Sequence, residues 1–174
     1  MKKMKNFRKK IFRLAFRSTK MEEIVWNDLK KLVSESNWHS KINEKEKCIE
    51  CLFEISDKNK VVFLYYMQDG YFNCNVRIIE ENTLDLTEDF FHLTAHFNTI
   101  FNLGLLNIYV ARQTIEYQSK TPLIVPFLID DGVYLQIINH FNASKDIYSA
   151  FERLINERES PVVIIGDLLR KIPN

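Results

Sequence analysis

Residues 60–82 read KVVFLYYMQDGYFNCNVRIIEEN, and the rest of the chain is organised around this stretch. Two runs rich in Val, Ile, Phe and Tyr flank Asp69-Gly70, a dipeptide that accepts the positive φ angles of a two-residue hairpin turn. Such a turn sets the register, with Gln68 opposite Tyr71, Met67 opposite Phe72, Tyr65 opposite Cys74, Phe63 opposite Val76 and Val61 opposite Ile78. Side chains alternate along a strand, so one face collects Val61, Phe63, Tyr65, Met67, Phe72, Cys74, Val76 and Ile78. That is a core face. The other face carries Tyr71, Asn73, Asn75 and Arg77 on the second strand but Val62, Leu64 and Tyr66 on the first. A solvated face does not need those three apolar groups. Either another part of the chain covers them, which is the simpler reading, or a second molecule does.

Upstream, KCIECLFEIS over 47–56 alternates, with Ile49, Cys51, Phe53 and Ile55 on one side and Cys48, Glu50, Leu52 and Glu54 on the other. This is a half-buried strand, and with the turn at Asp57-Lys58-Asn59 it makes a three-strand antiparallel meander. Residues 21–37 read as a helix, with Ile24, Val25, Leu29, Leu32 and Val33 near helical spacing and Asn37 as its stop. Residues 38–46 read as a polar connection.

Downstream, Asp85 to Leu103 reads as a helix capped by Asp85 and Glu88, with Leu86, Phe90, Leu93, Phe97, Ile100 and Phe101 in one stripe. Gly104 stands where a left-handed C-terminal cap belongs. Leu106, Ile108 and Val110 alternate as a strand, and Ile115 and Tyr117 as another after a turn near Arg112-Gln113. TPLIVPFLI over 121–129 holds two prolines, which suits an edge or a buried connection. A helix is expected from Asp130-Asp131-Gly132 to Asn156 with a break near Asn142, using Leu135, Ile138, Phe141, Ile147, Phe151, Leu154 and Ile155. Ser160-Pro161 supplies N-cap and first-turn chemistry for a last helix to Arg170, although its β-branched run also suits an edge strand.

The chain of 174 residues is long enough for a core without covalent staples. Four Gly and four Pro argue against a disordered chain. Three cysteines, an odd number, and no secretory signal point to a reducing, cytoplasmic setting. Of the 24 Lys and Arg, nine lie in residues 1–20 with no acid among them; the other 15 meet all 23 acidic residues, a balance of −8. The organisation is therefore a basic arm, 1–20, on one acidic α+β domain, 21–174. On a helical wheel the arm sets Met4, Phe7, Ile11, Leu14 and Ala15 on one side and Lys9, Lys10, Arg13 and Arg17 on the other. Such a helix suits an anionic membrane surface, a docking place on its own acidic domain, or a frayed tail. The acidic body argues against nucleic acid.

Catalytic signatures are sparse. Cys48 and Cys51 have redox spacing, but three positions apart on a strand point to opposite faces, so structural cysteines are expected. His92 and His96 share a helix side, the geometry of a metal pair. The residues between them lack the glutamate of the zinc-protease motif, and a half-buried structural role beside the apolar stripe is expected instead. Neither a glycine-rich phosphate loop nor a nucleophile elbow is present. No cofactor and no metal are expected, and the enzyme reading, a metal-dependent one on His92 and His96, ranks last.

Three segments carry a family resemblance: VVFLYYMQDGYFNCNVRII, then HFNTIFNLGLLNIYVARQTIEYQSKTPL, then DIYSAFERLINERESPVVI. With the element order, they resemble the YbjN-like proteins, a bacterial group with the type III secretion chaperone-like fold, over about residues 47–170. The β-branched content after Ser160-Pro161 departs from that pattern. The resemblance implies an antiparallel sheet of about five strands with helices on one face, and a non-enzymatic module described for the group as a sensory-transduction regulator. It implies a homodimer that holds a protein or peptide client. The residues expected to make that contact are Leu52, Val62, Leu64 and Tyr66. The alternative is a peripheral membrane adaptor anchored through Lys9, Lys10, Arg13 and Arg17.

Overall fold

The structure, a computed structural model, describes residues 19–57, 59–80, 87–100, 104–124, 127 and 131–171. The basic arm up to residue 18, Asp85, Leu86 and Phe101 lie outside them. In chain order the elements are α1 (Thr19–Glu35), β1 (Ser40–Asn43), β2 (Cys48–Glu54), β3 (Lys60–Gln68), β4 (Tyr71–Glu80), α2 (Glu88–Ile100), β5 (Leu105–Tyr109), β6 (Thr114–Pro122), α3 (Gly132–Glu152) and α4 (Pro161–Lys171). The class is α+β, with one antiparallel sheet of six strands in the order β1-β2-β3-β4-β6-β5. The chain gathers into two compact units: Met1–Phe53, Val62–Cys74 and Lys120–His140, and Glu54–Val61, Asn75–Ser119 and Phe141–Asn174.

In the first unit the hairpin turn forms as its chemistry requires. Asp69 and Gly70 alone join β3 to β4, with φ of 54° and 79°, the two positive values of a type I′ turn. The tip is held twice: the Gly70 N–H donates to Glu22 Oε1 of α1 at 3.0 Å, and the Gly70 carbonyl accepts from the Leu123 N–H at 3.0 Å. Of the expected core face of the hairpin, Phe63, Tyr65, Met67, Phe72 and Cys74 are buried in this unit, and Val61, Val76 and Ile78 are buried in the second. Tyr65 stacks on Phe72 at 5.5 Å between ring centroids, Phe127 meets Phe72 edge-on at 5.4 Å, and the His140 ring lies 5.9 and 6.0 Å from Tyr65 and Phe72. Phe53 continues the cluster, edge-on to Phe63 and to Trp38. Helix α1 buries Met21, Val25, Trp26, Leu29 and Val33, and Asn37, at φ 56°, ends it as expected.

In the second unit, α2 packs on α4 and β5. It buries Phe90, Leu93, Thr94 and Phe97, with Phe90 and Phe97 stacked on Phe151 of α3. Asn98 closes the passage into β5, donating to the Leu106 carbonyl at 2.9 Å and accepting from the Leu106 N–H at 2.7 Å. A π turn over Arg153–Glu157 follows α3, and Arg158 reverses the chain at φ 53°. Arg153 bridges Glu159 and Asp167, which ties that reversal to α4. Residues 161–171 are helix, settling the choice left open by their β-branched run.

The differences from the sequence reading have physical causes. The expected polar connection over 38–46 contains β1, the sixth strand, whose four residues are all exposed and so show no apolar alternation. Val110 lies in a 3-10 turn, Val110–Arg112, before the left-handed Gln113 at φ 51°, and not in β5. Helix α3 runs unbroken through Asn142, and its irregularity comes at Arg153. In its first half the buried side is Val133, Ile137, His140, Ala143 and Ser144, while Leu135 is exposed and Ile138 and Phe141 are half-buried.

Gly104 is not a left-handed cap, since its φ lies outside that region. It is glycine because the backbone of β6 runs against it: a Cβ there would stand 2.4 Å from the Gln118 carbonyl oxygen and 2.8 Å from the Tyr117 ring. A carbonyl held in a ladder cannot retreat as a flexible side-chain end can. Gly104→Ala is therefore expected to destabilise the protein by about 1–3 kcal/mol. Urea unfolding checks this, and an unchanged midpoint would overturn the account of the contact.

Candidate functional site

Alternation along β2 and β3 sends Leu52, Val62, Leu64 and Tyr66 to the side opposite the aromatic cluster. All four belong to the first unit. Leu52 is 39 % and Val62 48 % exposed, and Leu64 and Tyr66 are half-buried. The Ile55 N–H donates to the Asn59 carbonyl at 3.0 Å, and counting back from that contact sets Leu52 beside Val62, so the four side chains form one strip over two neighbouring strands. Tyr71, exposed on β4, shares that side. On β2 the strip is flanked by exposed Glu50, which the register pairs with Lys41 of β1.

Sequence reasoning places Asn73 on this face but does not foresee its burial. Asn73 is expected on the outward side, between the inward Phe72 and Cys74, yet it is only 3 % exposed. Its amide donates to the Tyr71 carbonyl at 3.1 Å and the Tyr66 carbonyl at 3.4 Å. Period-2 counting gives its side; nothing in the sequence gives its burial.

The strip offers apolar area, a tyrosine ring and flanking charge. It carries no nucleophile. Cys48 is half-buried, with its thiol pKa raised by burial and by Glu46 and Glu50. Cys51 faces the other way, where burial pushes its thiol up to about 12. Cys74, buried beside Tyr65, is likewise raised well above the ordinary thiol range. A thiol held protonated is a poor nucleophile, so the Cys48–Cys51 spacing does not make a redox pair.

The two helix histidines differ from expectation. The core side of α2 is Phe90, Leu93, Thr94 and Phe97, and His92 and His96 both stand exposed away from it. The His92 Nε2 lies 3.3 Å from Glu88 Oε1. Among the described residues no group of three or more His, Cys, Asp or Glu is placed to hold a metal ion. Lys9, Lys10, Arg13 and Arg17 lie outside the described residues. Among those described, no helix is long and apolar enough to cross a membrane. No protein-family model matches the chain, and no curated protein matches it.

Proposed function

We propose that the chain is a non-enzymatic interaction module of the YbjN-like kind, which associates with a second copy or a protein segment through the outward strip of β2 and β3. The observation that supports this reading is the exposure of Leu52 and Val62 beside half-buried Leu64 and Tyr66 on the sheet face away from the aromatic core. Apolar area of this kind gains about 25 cal/mol for each Å² taken from water, and four adjacent side chains supply it as one contact rather than as scattered groups. Apolar area dominates the strip, so association is the output we expect of it.

Leu64→Asp tests it. The side chain points away from the core, so the variant is expected to keep its far-ultraviolet spectrum and its cooperative unfolding. In sedimentation equilibrium the wild type is expected to self-associate and the variant to stay monomeric. Equal association by both proteins would remove the strip from the interface.

A further inference from the structure

We propose that Asn98 of α2 is an edge lock: its carboxamide takes the place of a further strand at Leu106 and closes β5 to strand addition by a second copy of the chain. The sheet ends at β5, which among the described strands pairs with β6 alone. Leu106 lies opposite Tyr117 in that pairing, yet its N–H donates to Asn98 Oδ1 at 2.7 Å and its carbonyl accepts from Asn98 Nδ2 at 2.9 Å. In an antiparallel ladder, residues alternate between those that exchange bonds with the partner strand and those that turn both groups away from it. Leu106 is of the second kind, so its N–H and carbonyl point outward, where a next strand would bond. Ile108, two positions on, points its own the same way.

One side chain meets both outward groups of Leu106 because a carboxamide carries the donor and the acceptor of a peptide unit. A carboxylate only accepts and an ammonium only donates. The exchange copies the one that two residues make in an antiparallel pair, each giving and taking one bond. Helix α2 ends at Ile100 and packs on β5, so the carboxamide is delivered to the edge by a fixed element.

The rest of β5 explains why a lock is needed. Sheet edges are kept from pairing by charge, by proline or by a covering element. Leu105–Tyr109 reads LLNIY, with neither charge nor proline, and residues 97–111 hold no charged side chain at all. Leu105 is exposed. At the opposite edge, β1 carries its own charge, Lys41, and all four of its residues are exposed. Strand β5 has no such charge, and Asn98 does the work instead.

Asn98→Ala and Asn98→Asp separate a lock from a plain contact at a helix end. Both lose the bond to the Leu106 carbonyl, so both are expected to unfold at lower urea than their parent. Only alanine leaves the edge open, because aspartate sets a charge where the incoming strand would lie. Every protein in the series carries Leu64→Asp, so that the outward strip of β2 and β3 plays no part in the comparison. In sedimentation equilibrium Asn98→Ala is expected to self-associate about tenfold more tightly than the parent, the gain from freeing two backbone groups for bonding. Asn98→Asp is expected to associate no more tightly than the parent. Adding Leu105→Lys, an exposed charge on the edge strand, is expected to cancel the gain made by alanine. Association of Asn98→Ala equal to the parent's, equal gains by alanine and aspartate, or a gain that Leu105→Lys does not cancel would each overturn the proposal. Deuterium exchange on the unaltered chain serves if alanine does not fold. The Leu106 amide, held by Asn98, is expected to exchange about tenfold more slowly than the Ile108 amide. Equal exchange at the two positions would mean that Asn98 does not hold the edge.

Discussion

Phe72→Ala is expected to cost about 3–5 kcal/mol of folding free energy, the range for emptying a large aromatic site in a packed core. Phe72 is fully buried and is the ring that the others share: Tyr65 stacks on it, Phe127 meets its face edge-on, and His140 lies over it. Alanine would remove the ring and leave each of these neighbours facing a void. Little can collapse into it, because Tyr65 and Phe72 stand on strands joined by a turn clamped at Glu22 and Leu123. Tyr71→Ala is the control. It sits one residue earlier on the same strand, directly after the turn, but exposed, and is expected to change stability by less than about 0.5 kcal/mol. Urea unfolding of both variants checks the contrast. Equal losses would mean that the turn, and not the aromatic cluster, sets the stability of the hairpin.

The same contrast explains what a reader of the sequence can see. The hairpin was legible because its determinants are local: Asp69-Gly70 demands one turn type, and a two-residue turn leaves no freedom in which side chains point inward. Val62, Leu64 and Tyr66 could be placed outward for the same reason. Strand β1 was not legible, because SKIN owes its conformation to a partner. The Leu52 N–H bonds the His39 carbonyl, Ser40–Asn43 pair with Cys48–Cys51, and Glu44 is gripped by Trp26 and Lys30 of α1. The phase of α3 differs from the expected one because a periodicity count weighs Leu135 and Ile138 as core and passes over His140, Ala143 and Ser144, which the fold buries. Gly104 suggests a backbone angle in the sequence, but it answers to a close approach from β6, a contact that the local sequence does not announce. The strip on β2 and β3 is thus visible as a pattern, and so is the side on which Asn73 stands, while the burial of Asn73 is not.

His140 should make the protein acid-sensitive in a defined window. Its ring is buried against Tyr65 and Phe72, and that burial pushes its pKa down to about 4 from an ordinary 6.5. The folded protein therefore holds His140 neutral, while the unfolded chain takes up a proton below pH 6.5. Since the unfolded state binds more protons there, stability falls as pH falls. The loss begins near pH 6.5, grows to pH 4, and levels off below the folded pKa, reaching about 3 kcal/mol at 1.36 kcal/mol for each pH unit. Carboxylates titrate over the lower part of the same range, so the wild-type curve alone cannot isolate the ring. The difference between wild type and His140→Phe can, because the acids are common to both proteins and phenylalanine keeps an aromatic ring in the stack without a titrating nitrogen. Urea unfolding at pH 7, 5.5 and 4 is expected to show the variant gaining on the wild type by about 3 kcal/mol across the series. A constant difference between the two proteins over that range would mean that His140 does not stay neutral through proton uptake by the unfolded chain, and that its place in the aromatic cluster is more open to water than the packing of Tyr65 and Phe72 implies.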